Sequence, residues 1–319
     1  MLSRREWLSL TLATGAAAAL DRAWLSAQQP LIMRPVPGTN ERLPIVGLGS
    51  SATFSNIARK EDLASISEVL KALVSGGGTV FDTAPGYGAS EEVAGRVAGT
   101  LSYTDKIFWA TKVNVAGGRG GGGGGADPAA ARAQIDQSFA LLKKPKIDLI
   151  QVHNLADIPT QLGILKEIKQ QGRIRYIGVT TTFDQQYSQI VDIMRKEPID
   201  FIGIDYAIDA REAEESILPV AQERKIAVMV YQPFGRNRLW NRVGSQPVPD
   251  YAKEFDATTW AQFFIKFVAS HPAVTVITPA TSQAKNMTDN LGGGRGRLPD
   301  AAMRKRMIAT IDALPAPGK

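Results

Sequence analysis

The sequence predicts a single (β/α)8 barrel, and three observations carry that prediction. Eight short apolar runs rich in Val, Ile and Phe recur along the chain, at residues 43–50, 79–84, 107–114, 147–154, 174–182, 201–206, 227–235 and 273–281. Short, near-continuous apolar runs are what strands buried on both faces require. Amphipathic helical patterns lie between them, such as 129–143, with Ile135, Phe139 and Leu142, and 162–171, with Leu162, Leu165 and Ile168. No linker interrupts the alternation, which favours a closed barrel over a doubly wound sheet. The chain has 319 residues, 44% of them hydrophobic. That is enough for one barrel, which takes roughly 250 residues.

In chain order, residues 34–42 come first, with Pro37-Gly38-Thr39-Asn40 reading as a hairpin turn that caps the barrel bottom. Two segments break the later rhythm. Residues 117–125 are eight glycines and Arg119, following the third run and therefore on the face where barrel active sites lie. A run this dense reads as a flexible rim loop, without the strand-loop-helix setting of a phosphate-binding fingerprint. Residues 236–256 read as an insertion after the seventh strand, and 300–314 as a last helix packed outside the barrel.

Composition excludes several function classes. Net charge is +6, but Lys and Arg are scattered, and the longest basic cluster, Arg304-Lys305-Arg306, belongs to the terminal helical pattern. Nucleic acid is therefore not an expected partner. The chain has no cysteine, which excludes disulfides, cysteine nucleophiles, thiolate zinc sites and a lipidated N-terminal cysteine. Two histidines argue against a multi-histidine centre, so no metal is expected.

The N-terminus reads as a targeting segment. Ser3-Arg4-Arg5-Glu6-Trp7-Leu8 resembles the twin-arginine export signal, and the Ala-rich stretch at 7–20 is too short to span a bilayer. Leu25-Ser26-Ala27 reads as a cleavage site, dividing the chain into a signal peptide, 1–27, and a barrel domain, 28–319. Cleavage removes three arginines and two acids, leaving a net charge of +5. The resemblance implies engagement of the twin-arginine machinery and delivery of a folded, cofactor-loaded protein to the periplasm or beyond. After cleavage no stable membrane insertion is expected.

Functional residues of such a barrel sit at the C-terminal ends of strands. Reading those ends gives Asp82, Lys112 and His153, with Tyr87 in the loop five residues past Asp82. Alone, Asp82 reads as a helix cap, Lys112 as a solvated strand end, His153 as a polar residue at a barrel mouth and Tyr87 as turn packing. Together they read differently. Phe81-Asp82-Thr83-Ala84-Pro85-Gly86-Tyr87-Gly88, followed by Glu91 and Gly95, resembles the aldo/keto reductase signature, and Ala110-Thr111-Lys112 and Gln151-Val152-His153 are similar to that family's lysine and histidine strands. The similarity runs from about residue 31 to 314.

The chemistry explains the quartet. Carbonyl reduction needs a hydride on carbon and a proton on oxygen. A tyrosine of ordinary pKa, ~10, is a weak acid, and a nearby ammonium favours its phenolate. Lys112 is expected to act so on Tyr87, with Asp82 holding Lys112 charged and in place and His153 orienting the substrate oxygen. His271, just before the last run, is read as structural.

The resemblance implies NADPH, with NADH possible. Val230-Tyr231-Gln232-Pro233-Phe234-Gly235 is similar to the family segment that stacks on the nicotinamide, which makes Tyr231 the stacking residue and adds Gln232 and Phe234 to the cofactor site. Thr180 and Thr181 stand where the family has a Ser-Asn pair, and Gly203 where it has a Gln. Arg236 and Arg238 are expected to clamp the pyrophosphate, since guanidinium binds phosphate oxygens bidentately. Thr281, Ser282 and Asn290 match phosphate and adenine contacts. Ala280 and Asn286 replace the usual basic residues at the 2′-phosphate, with Lys285 adjacent as a substitute. Asn154-Leu155 replaces the aromatic that often follows the histidine.

The leading expectation is an oxidoreductase acting on a small carbonyl or alcohol substrate. Two others stand beside it: an exported barrel that has lost turnover and serves as a binding or partner module, and an enzyme whose nucleotide is a non-exchanging group loaded before export.

Overall fold

In the computed structural model the described residues are 29–116 and 124–314. The predicted signal peptide and most of the glycine-rich loop, 117–123, lie outside them.

The predicted hairpin forms from β1 (Met33–Pro35) and β2 (Arg42–Pro44), paired antiparallel with Arg34 opposite Leu43. Gly38 takes the turn at φ 76°, a left-handed backbone that favours glycine. The first apolar run is split between β2 and β3 (Leu48–Gly49). Pro44 has no N–H to continue the ladder, so the chain leaves the hairpin there and enters the barrel.

Seven further strands follow: β4 (Val80–Asp82), β5 (Phe108–Val113), β6 (Ile147–Val152), β7 (Ile174–Thr181), β8 (Phe201–Asp205), β9 (Ala227–Tyr231) and β10 (Val274–Ile277). From β3 to β10 each strand pairs in parallel with the next. The ring closes where Gly47 N donates to Ile277 O (2.8 Å), Ile277 N to Ile45 O (2.8 Å) and Gly49 N to Pro279 O (3.0 Å). All eight predicted runs are thus barrel strands, and the fold is the expected (β/α)8 barrel.

The helices that position the site are α1 (Thr53–Arg59), α2 (Leu63–Ser75), α3 (Ser90–Thr100), α4 (Pro128–Leu142) and α5 (Ile158–Gln170). Later come α6 (Tyr187–Lys196), α7 (Ala213–Arg224), α8 (Arg238–Val243), α9 (Trp260–Ala269), α10 (Ala284–Gly292) and α11 (Ala301–Asp312). Local chemistry starts them. The carboxylates of Asp62, Asp127, Asp157 and Asp300 accept backbone N–H groups of the first turns of α2, α4, α5 and α11. The insertion after β9 supplies α8 and a 3-10 turn, Asp250–Phe255.

The inside of the barrel follows from strand parity, because successive side chains on a strand point to opposite faces. Val80, Phe108, Ala110, Leu149, Tyr176, Phe201, Ala227, Met229 and Val276 form one buried inner cluster, joined from below by Val36 and Leu43 of the hairpin region. Arg175 ties that floor shut, pairing with Glu41 beside the hairpin and with Asp148 (2.7 Å). The alternate residues, such as Phe81, Trp109, Ile150, Ile177, Ile202 and Val228, pack outward against the helices in the main core. Two residues further along the inward-facing rows stand Asp82, Lys112, Gln151, Gly203 and Tyr231. A polar layer therefore lies directly above an apolar one.

Candidate active site

Asp82 ends β4, and Lys112 lies on the neighbouring strand β5. Both are almost fully buried. The Lys112 ammonium donates to both carboxylate oxygens of Asp82 and to Thr83 O, each at 2.8 Å. Tyr87 is a further hydrogen-bond partner of the same ammonium. Burial works against the charge of Lys112, but the Asp82 carboxylate beside it outweighs burial and holds its pKa above the ordinary lysine value.

Tyr87 is carried by a tight turn in which its N–H donates to Ala84 O (2.9 Å) and its carbonyl accepts from Ser90 Oγ (2.9 Å). The Lys112 Nζ lies 5.1 Å from the Tyr87 ring centroid. Sequence reasoning expected the ammonium to bring Tyr87 below its usual pKa. That pull is present, but burial is the larger effect and Asp82 adds to it, so Tyr87 titrates above its ordinary value. Tyr87 therefore holds its proton across the neutral range.

His153 follows β6 directly, and its ring stands edge-on to Tyr87 with centroids 5.8 Å apart. Burial and the Lys112 charge push its pKa down to about 3, so the imidazole is neutral. The loop behind it is held in an unusual path, with Asn154, Leu155 and Asp157 all at positive φ. Such conformations cost of order 1–3 kcal/mol each and persist only where neighbours impose them. Here Asn154 N donates to Thr180 Oγ1 (3.3 Å), Gln186 Nε2 to Asn154 O (3.2 Å) and Ala126 N to the Asp157 carboxylate (2.7 Å). These bonds anchor the segment where sequence comparison found an aromatic missing.

The structure thus brings Asp82, Tyr87, Lys112 and His153 together. Glu91 and Gly95, also in the signature, act behind them. Glu91 accepts from Thr111 Oγ1 (2.6 Å), and Gly95 lets α3 touch α4, where any Cβ would sit 2.1 Å from Leu141 O. His271 lies apart from the quartet, its Nδ1 accepting from Ala273 N (3.2 Å) and its ring edge-on to Tyr206.

The residues expected around the cofactor are arranged unevenly. Tyr231 is half-buried, and its hydroxyl reaches down to Asp82 Oδ1 (3.2 Å) and Gln151 Oε1 (3.0 Å). Its ring passes over Gly203, where a Cβ would meet ring and hydroxyl atoms at 2.5–2.7 Å. The glycine that replaces the family glutamine is the space that ring fills. Thr180 is buried on the inward row, and accepting from Asn154 N leaves its hydroxyl able to donate. Thr181 faces outward, bonded to Gln186 and Phe183 N.

Past β9, Gln232 and Arg236 bond each other at 3.3 Å on the rim, and Phe234 packs on Trp240 with ring centroids 5.1 Å apart. Arg236 is exposed, while Arg238 is held bidentately by Asp209, at 2.6 and 3.0 Å. Gly235 is favoured there by its φ of 55°, a left-handed backbone. These arginines border a cavity of about 320 Å3 that also receives Asp184, Asp205, Asp209 and Glu212. After β10, Thr281 caps its own turn by accepting from Gln283 N (3.2 Å). Ser282 is half-buried, Lys285 and Asn286 are exposed, and Asn290 is buried in α10.

Sequence reasoning missed Gln151 as more than part of a motif. The available signal was its parity: it sits opposite Lys112 in the β5–β6 register, on the inward row.

Known proteins share this fold. The chain is 30% identical over 204 residues to the aldo-keto reductase YhdN of Bacillus subtilis, an alignment spanning 62% of this chain and 60% of that protein. The fold matches the aldo-keto reductase AKR11C1 from Bacillus halodurans with a TM-score of 0.68 at 23% identity, over 88% of this chain and 96% of that one. It matches an aldo-keto reductase from Klebsiella pneumoniae, solved in complex with NADPH, with a TM-score of 0.69 at 21% identity, over 89% and 95% of the two chains. The sequence model of the Aldo/keto reductase family matches residues 46–310, and the chain belongs to that family of oxidoreductases.

Proposed function

We propose that this protein is a nicotinamide-dependent carbonyl oxidoreductase, reducing an aldehyde or ketone to the alcohol or running the reverse. The observation that carries the reading is the buried Asp82–Lys112 pair beside Tyr87, with a neutral His153 edge-on to the same ring. The residues present suit the cofactor. The half-buried Tyr231 ring would carry the nicotinamide, Thr180 would donate to its carboxamide, and Arg236 would meet the phosphates. Thr281, Ser282, Lys285, Asn286 and Asn290 would hold the nucleotide end. A bound nicotinamide supplies the hydride that reduces the carbonyl carbon.

The chain's own residues manage the oxygen. Tyr87 hands its proton to the carbonyl oxygen, and the Lys112 ammonium stabilises the phenolate left behind. The neutral His153 donates a hydrogen bond to the same oxygen and fixes its approach. General acid help of this kind is worth roughly 10²–10⁴-fold. NADPH is the favoured species, supported by its presence in the Klebsiella pneumoniae neighbour. Ala280 and Asn286 at the expected 2′-phosphate positions keep NADH as the alternative. Gly203, which by itself would argue for a barrel without turnover, is accounted for by the Tyr231 ring. We further propose that residues 1–27 direct export of the folded protein through the twin-arginine route.

The test uses the full chain purified under native conditions from its exporting host. Denaturing mass spectrometry is expected to release NADP(H) or NAD(H), and a panel of aldehydes and ketones is expected to be turned over by the wild type and not by Tyr87→Phe. A native protein that neither holds nor binds either nucleotide, and reduces no member of the panel, would end this reading.

A further inference from the structure

The floor of the site contains a hydrogen-bond count that does not close. Tyr231 Oη lies 3.2 Å from Asp82 Oδ1 and 3.0 Å from Gln151 Oε1, two acceptors, and a phenol has one proton. Gln151 is fully buried, and its Nε2 has no acceptor among the described residues. A buried amide N–H left unpaired costs about 1–3 kcal/mol. The excess of acceptors at Tyr231 vanishes if the amide is turned over, because O and N of a glutamine side chain are told apart only by their partners, and the partnerless position then holds a carbonyl oxygen in place of an N–H. Gln151 Nε2 then donates to Tyr231 Oη, and the Tyr231 proton goes to Asp82 Oδ1. The chain of bonds becomes directional, running Gln151, Tyr231, Asp82, Lys112.

We infer that Gln151 is a positioning residue, which fixes the Tyr231 hydroxyl as a donor to Asp82 and so holds the Asp82 carboxylate square to Lys112. Gly203 belongs to the same device. Any side chain there would displace the Tyr231 ring from above it, and with it the hydroxyl. Gln151 never meets substrate. It acts through Tyr231, whose hydroxyl it holds from the barrel interior. Removing the donor weakens the hold on the Asp82 anion. The ammonium of Lys112 is then less well supported, and less positive charge is left to draw the proton from Tyr87.

The inference rests on the oxidoreductase reading for its effect on rate, but its physical core is testable without turnover. Tyrosine labelled at Cζ, followed by NMR against pH, reports Tyr87 ionisation in the full chain, with Tyr87→Phe assigning the signal. In Tyr231→Phe and in Gln151→Leu the Tyr87 midpoint is expected to move upward by roughly half a unit to one unit, the size of one hydrogen bond. In both variants kcat for alcohol oxidation is expected to fall by about tenfold. The double variant should be no worse than Tyr231→Phe alone, because both changes cut one chain. Gln151→Glu, ionised where Tyr87 titrates, keeps acceptors and removes the donor, and its added charge opposes the phenolate, so it is expected to raise the Tyr87 midpoint at least as far as Gln151→Leu does. If Gln151→Glu restores the wild-type titration, the amide accepts rather than donates and the inference is wrong. If folded Gln151→Leu and Tyr231→Phe both leave the Tyr87 midpoint unmoved, the chain of bonds has no effect and the inference also fails. A midpoint that moves in a protein with no turnover would sink the oxidoreductase reading and leave this one standing.

Discussion

His153 and Tyr87 carry opposite protonation tendencies for related reasons. Each is pressed toward its neutral form by burial, and each faces Lys112. For His153 the charge adds to burial, and for Tyr87 it opposes burial and loses. Between roughly pH 5 and 9 both therefore keep one form, and the reduction rate is expected to be flat, with no inflection near the usual histidine value. Alcohol oxidation needs the phenolate, so its rate should climb throughout that range and beyond pH 10. A reduction profile bending near pH 6.5, and lost in His153→Gln, would show the imidazole to be a titrating group. Stability carries the matching sign. A histidine of folded pKa about 3 contributes fully above its unfolded value near 6.5, and that contribution drains away as pH falls from there toward 3.

The α3–α4 contact shows how an element far from any reacting atom shapes the site. Tyr87 sits in the loop that leads into α3, so its placement depends on how closely that helix lies against α4. Gly95 sets the distance, since its would-be Cβ is 2.1 Å from Leu141 O and 2.9 Å from Leu142 Cα, both backbone atoms that cannot turn aside. In a free helix Gly→Ala gains about 1 kcal/mol. Here overpacking should reverse that sign, and Gly95→Ala is expected to lose about 1–3 kcal/mol in urea unfolding. A stabilised variant would mean that the helices can part without cost.

The molecule as a whole is held by two concentric apolar layers, one inside the strands and one outside. Phe201 belongs to the inner layer, with ring centroids 6.2 Å from Phe108 and 5.4 Å from Tyr176, beneath the polar floor of the site. Little can collapse into a gap ringed by strands, so Phe201→Ala should cost about 3–5 kcal/mol, at the high end for core truncation. Leu63, 41% exposed at the start of α2, is the control, and Leu63→Ala should stay within about 0.5 kcal/mol of wild type. Thermal unfolding of the two variants side by side would separate them, and equal losses would contradict the two-layer description.

Much of this was legible in the residues themselves. Strand identity came from local apolar runs, and the C-terminal ends of those runs placed Asp82 and Lys112 at the barrel mouth before any contact was known. The hairpin and the turn at Tyr87 are likewise local, each set by residues within a few positions. What the sequence could not decide is which side chains claim one another across the ring. Tyr231 meets Asp82 from 149 positions away and Gln151 from 80, Asp209 claims Arg238 from 29, and Gly203 has meaning only as room for a ring on the next strand. Parity depends on the strand alone. Distance across the barrel depends on the register of all eight strands and on closure between β3 and β10, and the balance of burial against charge at Tyr87 depends on that distance. The residue types and the direction they face are therefore properties of the sequence, while their partners and proton affinities arise only in the closed fold.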